Sequence, residues 1–195
     1  GGKKIDEPVK PVPKEPIPVT IAEEATPDEI PAVNLTGKEA DTCLLNVGDT
    51  LPAASIKNMQ GETVTVQSLL GTKGTVLFFW NAGNTRFTEM MAVGVLKDLQ
   101  RDIATQYSVA GIRVLAVNED DSKQKIDELI AQAGLPDSSM IYTDPDGKLL
   151  SLLTTEPSMR IYILGPDGKI VWFDLEYSET TRDQLLETVR YLVSQ

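Results

Sequence analysis

The residues best placed to do chemistry lie between Thr75 and Met91, where the apolar run Thr75-Val-Leu-Phe-Phe-Trp80 turns through Asn81-Ala-Gly-Asn84 into Thr85-Arg-Phe-Thr88 and a helical pattern. A helix start of this kind lowers the pKa of a thiol and attracts anions, because its first N–H groups have no partner within the helix. No cysteine stands there. What remains is Asn84, Thr85, Arg86, Phe87 and Thr88, a set able to donate hydrogen bonds, hold an anion at Arg86 or offer an apolar surface at Phe87. A threonine hydroxyl at Thr88 does not ionise near neutral pH and cannot be oxidised and recycled as sulfur is. For Arg86 the plainer role is a solvated first-turn residue, or one that pairs with a nearby acid such as Glu89.

The chain's one thiol, Cys43, lies well upstream, beside Leu44 and Leu45. Lacking a second cysteine, it is restricted to mixed or intermolecular disulfides. It reads as a small residue entering the first strand, or as a relocated redox thiol if the segment folds over the helix start. There is no histidine, so the commonest general base and the commonest zinc ligand are both missing. No metal centre and no cofactor are expected. The acidic run Glu119-Asp-Asp121 and the turns Asp144-Pro-Asp-Gly147 and Gly165-Pro-Asp-Gly168 lack the ligand alternation of an EF-hand, and turn or cap roles fit them better. Eighteen basic residues against 29 acidic ones give a net charge of −11. That balance argues against nucleic acid or an anionic lipid surface as partner.

The elements that must position these residues are legible as periodicities. Thr63-Val-Thr-Val66 alternates and pairs with Ala53–Lys57 across Asn58-Met-Gln-Gly61, forming a hairpin. Thr75–Trp80 and Ile112–Val117 are continuously apolar, as strands covered on both faces are. Ala92, Leu96, Leu99, Ile103 and Tyr107 put one stripe on a long helix from about Thr85. Asp121-Ser-Lys-Gln124 caps a helix carrying Ile126, Leu129, Ile130 and Ala133, which Gly134 and Pro136 stop. A short extended piece at Met140–Thr143 and a small helix at Lys148–Leu153 follow. Arg160–Leu164 and Ile170–Glu176 flank Gly165-Pro-Asp-Gly168 as a second hairpin. Thr180-Thr-Arg-Asp183 caps a last helix with Leu185, Val189, Leu192 and Val193 on its core face.

Residues 1–44 are read as a proline-rich, charged tether or linker with one short ordered piece, and residues 45–195 as the domain. Residues 1–20 hold five prolines among charges, a composition of semi-rigid spacers. The chain begins at Gly1 without methionine, as a processed or trimmed product would. The start Gly-Gly-Lys-Lys resembles that of a bacterial lipoprotein after its lipidated cysteine, and equally a cloning scar of two glycines.

Together, "VGDTLPAASIKNMQGETVTVQSLLG", "TVLFFWNAG", "DPDGKLLSLL" and "YILGPDGKIVWF" resemble, in order and spacing, the thioredoxin-like proteins of the TlpA and ResA type and the related AhpC/TSA peroxiredoxins. The resemblance covers about residues 45–195. It implies an α/β, thioredoxin-like fold, a central mixed sheet flanked by helices with an extra N-terminal β-hairpin. It also implies a Cys-x-x-Cys after the tryptophan strand, where this chain has Asn84-Thr-Arg-Phe87, and a Thr-x-x-Cys nucleophile where it has Thr88. The family's proline before the hairpin strand, usually cis, aligns with Met159, two residues after Pro157. Arg160 loosely resembles the arginine of peroxiredoxin sites, with a strand-surface role the plainer reading.

The resulting expectation is a redox-inactive domain, tethered on the periplasmic side of a bacterial envelope and possibly lipid-anchored through its N-terminus. It would bind a protein or peptide in a groove formed by Trp80, Asn84, Thr85, Arg86, Phe87, Thr88 and Met159. The alternative is a thiol-disulfide oxidoreductase or peroxiredoxin-like reductase using Cys43 or a partner's thiol.

Overall fold

The computed structural model describes residues 26–195, so the proline-rich stretch read as a tether lies outside the described residues. The interior is organised by β3 (Gly74–Trp80), whose seven residues are all buried. It pairs in parallel with β4 (Ile112–Asn118) from Gly74↔Ile112 through Trp80↔Asn118. On its other side it runs antiparallel to β6 (Arg160–Leu164), with Phe79 opposite Arg160. A strand covered on both faces has no polar face to show, and this is why the sequence there is an unbroken apolar run.

The hairpin β1 (Ser55–Asn58) and β2 (Thr63–Thr65), the short β5 (Ile141–Thr143) and β7 (Ile170–Asp174) complete a seven-stranded mixed sheet. Its order is β2-β1-β5-β4-β3-β6-β7. Both expected hairpins form, and β3, β4 and β5 all end on the same edge of the molecule.

Alternate residues of β3 serve two cores. Val76, Phe78 and Trp80 pack with α2 (Arg86–Asp98), α4 (Lys123–Ala133) and α6 (Glu179–Val193). Leu77 and Phe79 pack with α5 (Lys148–Leu153) and with Leu51 and Val66. The long helix continues from α2 through a π-helical segment, Leu99–Ala104, into α3 (Thr105–Tyr107), with Leu99 and Ile103 buried as the stripe requires. Helix α4 ends at Gly134, whose φ of +64 places it in the left-handed region that glycine adopts without strain.

Two expectations are corrected here. Helix α6 begins earlier than the Thr180-Thr-Arg-Asp183 signal suggests, because Ser178 is its N-cap and Thr181 supplies the reciprocal bond of a capping box. Arg160 is not a strand-surface residue. It is 2% exposed, since the chain around Thr42 and Cys43 lies over it. The short ordered piece is α1 (Gly37–Asp41), capped by Thr36, and Val33, Leu35 and Cys43 pack against the core on the α5 side.

Candidate functional site

Thr85 and Thr88 use their hydroxyls to build the start of α2. Thr85 is the N-cap, accepting from the Thr88 N–H at 3.1 Å, while the Thr88 hydroxyl accepts from the Thr85 N–H at 3.2 Å. The Thr88 Oγ1 also lies 2.9 Å from the Ala82 carbonyl oxygen. Upstream, Ala82 N–H donates to Asp121 at 2.7 Å, and the Asn118 amide donates to the same Asp121 oxygen at 2.8 Å. Gly83, at φ +68, lets the turn close on Thr88, and a Cβ there would stand 2.2 Å from the Thr88 Oγ1. The place where a dithiol would work is thus occupied by a hydroxyl-stapled turn.

Asn84, Arg86 and Phe87 project to solvent. Phe87 is 71% and Met90 63% exposed, and with Met91 they form an apolar patch on the first two turns of α2. Arg86 makes no ion pair among the described residues. Glu89, its expected partner, instead pairs with Lys125 of α4.

Beside this turn, at the shared edge where β3, β4 and β5 end, lies a cavity of about 580 Å³. That volume falls within the usual range for small-ligand clefts. Trp80 and Met159 line it, so two of the sequence-predicted site residues come together there. Asn84, Thr85, Arg86, Phe87 and Thr88 do not line it and stand on the neighbouring helix start. All peptide bonds of the described residues are trans, those at Pro157 and Met159 included.

The cavity also holds residues that sequence reasoning missed. Glu119 follows β4 directly and is 7% exposed, with Oε1 buried and unpartnered. Its carboxyl is pushed up to about 10, chiefly by burial, then by a hydrogen bond to Asp144 and repulsion from Asp144 and Asp120. Asp144 accepts from the Leu149 and Leu150 N–H groups, both at 2.9 Å. Trp80, 1% exposed, leaves its indole N–H without a partner. One signal was available: strand alternation carried past Val117 returns Glu119 to the same buried side.

Cys43 lies on the other face of the sheet from α2, in an isolated antiparallel bridge with Thr154. Its Sγ is 3.5 Å from the Arg160 Nη1 and 3.4 Å from the Glu39 carbonyl oxygen. Among the described residues, no group of three or more acidic or cysteine side chains could hold a metal ion.

The mixed sheet, the helix after the tryptophan strand and the closing hairpin with its helix define a thioredoxin-like fold. The sequence profile of the AhpC/TSA family matches residues 47–173, and the chain belongs to that family. Among solved structures, a protein assigned as a disulfide isomerase from Bacteroides thetaiotaomicron superposes with a TM-score of 0.68 at 17% identity, over 79% of this chain and 94% of its own. A protein from Chlorobium tepidum assigned as the thiol:disulfide interchange protein DsbE gives 0.64 at 19%, over 76% and 99%. The exposed lipoprotein thioredoxin Etrx1 of Streptococcus pneumoniae strain TIGR4 gives 0.50 at 22%, over 71% and 98%. No curated protein sequence matches the chain.

Proposed function

We propose that this chain is a redox-inactive member of its family that binds a protein or peptide at the end of the fold where a dithiol would sit. The observation that carries the reading is one of juxtaposition. A cysteine-free turn whose hydroxyls are committed to structure stands beside an exposed apolar patch, Phe87, Met90 and Met91, and an open cavity. Water-exposed large apolar side chains at one place on a surface favour burial against another molecule. The proline-rich composition of residues 1–20 and the likeness to an exposed lipoprotein thioredoxin support a place in the bacterial envelope, on a tether. A photo-crosslinking amino acid at position 87, activated in native envelopes, tests the reading. Capture of one defined protein, competed by the unlabelled domain, is the expected result.

A second reading rests on one contact. The Arg160 Nη1 lies 3.5 Å from the sulfur of Cys43, the one thiol of the chain. Under that reading the chain is a thiol oxidoreductase or peroxiredoxin-like reductase. Insulin reduction or peroxide consumption that vanishes in Cys43→Ser would establish it and overturn the first.

A further inference from the structure

The chain reaches α1 by way of residues 26–35, which form neither helix nor strand. From Pro31 to Thr36 burial alternates strictly: Pro31, Val33 and Leu35 are half-buried, while Ala32, Asn34 and Thr36 are exposed. That is the pattern of an extended chain laid on a surface, with every second side chain turned inward. Ile30 packs against the apolar cluster on the α2 side of the sheet, Leu35 against the cluster on the α5 side, and Val33 against both. The segment therefore crosses the margin of the sheet from one face to the other.

Only these side chains hold it. Among the described residues, residues 26–35 take part in no hydrogen bond or ion pair. An extended segment added to a sheet edge is ordinarily fixed by main-chain bonds, and this one has none. Pro31, which lacks an N–H, fits such a seat without loss. The bolts begin at Thr36. There the capping box of α1 forms, and beyond it the Thr155 N–H donates to the Thr42 carbonyl and the Leu44 N–H to the Leu153 carbonyl, both at 2.9 Å. Lifting residues 26–35 about Thr36 breaks no hydrogen bond, which puts this segment at the low end of local opening free energies.

We propose that residues 26–35 are a detachable strap, and that the apolar strip under Ile30, Val33 and Leu35 is a docking surface for an extended segment of a partner protein that displaces it. The strap shows what the strip accepts. Its occupant is apolar at alternate positions, is held through side chains alone and tolerates proline, and a partner segment of the same chemistry meets the same walls. The strap is then an intramolecular competitor. Anchored at Thr36, it is present at high effective concentration, and a partner's apparent affinity is reduced in proportion to the time the strip is covered. Neither the α2 patch nor the cavity takes part, so this covered surface is additional to the partner site proposed above.

The test uses the full chain and a fluorescently labelled peptide of residues 29–35, acetylated and amidated at its ends. In the double variant Ile30→Asp, Val33→Asp, two carboxylates unseat the strap, and the peptide should bind saturably and at least about tenfold more tightly than to the native chain. Val33→Ala, which shortens the side chain that touches both faces, should raise the affinity by a smaller factor. A peptide with aspartate at both positions should bind none of these proteins. The double variant should stay folded, and hydrogen exchange at Leu44 and Thr155 should keep its native rate, since the bonds from Thr36 onward are untouched.

Failure of the peptide to bind the double variant, equal affinity for variant and native chain, or binding of the aspartate peptide would overturn the proposal. So would unfolding of the double variant or faster exchange at Leu44, because either makes residues 26–35 part of the cooperative fold. A native chain that dimerises, with the dimer lost in the double variant, would assign the strip to the strap of a second copy and overturn the partner reading of it. Crosslinking through position 87 reports on the other surface and is independent of all these outcomes.

Discussion

The guanidinium of Arg160, 2% exposed, donates from Nη2 to the hydroxyl of Thr42 at 2.8 Å and ties the segment before the first strand to the sheet. Its other hydrogen-bond partners, the Ser158 hydroxyl and the Cys43 sulfur, lie farther away at 3.4 and 3.5 Å. Thr42→Val therefore leaves a buried charge short of its best acceptor, and a loss of about 1–3 kcal/mol in urea unfolding is expected. Arg160→Met removes the charge with the bond and should cost less than Thr42→Val. The reverse order would mean that the guanidinium is held by something other than this contact. Hydrogen exchange at Leu44 and Thr155, whose N–H groups bond to Leu153 and Thr42, should quicken in both variants.

The sheet and its helices were legible in the sequence because each buried strand is apolar throughout and each helix carries one stripe. What was not legible depends on contacts between distant segments. Arg160 looks like a surface residue until Thr42 and Cys43 fold over it, and nothing local in Met159-Arg-Ile-Tyr162 announces that cover. Glu119 looks like part of a solvated acidic run, yet its two neighbours diverge. Asp120 turns outward at φ +68, and Asp121 staples the Ala82 turn. Of the candidate site, Trp80 and Met159 were placed together because both follow from the family's groove, while the acids of the same cavity come from the loop after β4, Glu119 and Asp120, and from the turn before α5, Asp146.

The turn before α2 gives a second expectation. Thr88→Ala removes a hydroxyl that satisfies the Thr85 N–H and contacts the Ala82 carbonyl, and should lower stability by about 1 kcal/mol, as loss of a cap does. Gly83→Ala should lower it further, since it combines a left-handed backbone with a clash against Thr88. In the double variant the two losses should fall short of their sum, because removing the Thr88 hydroxyl relieves part of the clash. Additive losses in chemical denaturation would show that the two residues act independently.

Glu119 makes a prediction of opposite sign to that of most carboxylates. Its native pKa of about 10 lies above the 4.5 of an unperturbed glutamate. Between those values the folded protein holds a proton that the unfolded chain has lost. The stabilising contribution is full below about pH 4.5 and declines as pH rises toward 10, by at most about 1.4 kcal/mol per pH unit for one proton. Urea unfolding at pH 6, 7 and 8 should show the native protein losing stability relative to Glu119→Gln at each step. A constant difference between the two proteins would place the proton elsewhere.

The apolar patch separates binding from folding. Phe87 and Met90 are 71% and 63% exposed, so Phe87→Asp and Met90→Asp remove little buried area and should leave stability within about 0.5 kcal/mol. An acid at the first turn of α2 is also favoured by the helix dipole, which works against any loss from Phe87→Asp. Association with a partner is expected to respond quite differently. Placing a carboxylate against a buried apolar contact should weaken capture by more than about tenfold, the loss typical of a central interface residue. The comparison requires the same two variants in both assays, thermal unfolding and crosslinking from a probe placed at Met91. Unchanged capture with unchanged stability would move the interface away from α2, leaving the cavity edge around Met159 as the surface to be probed next.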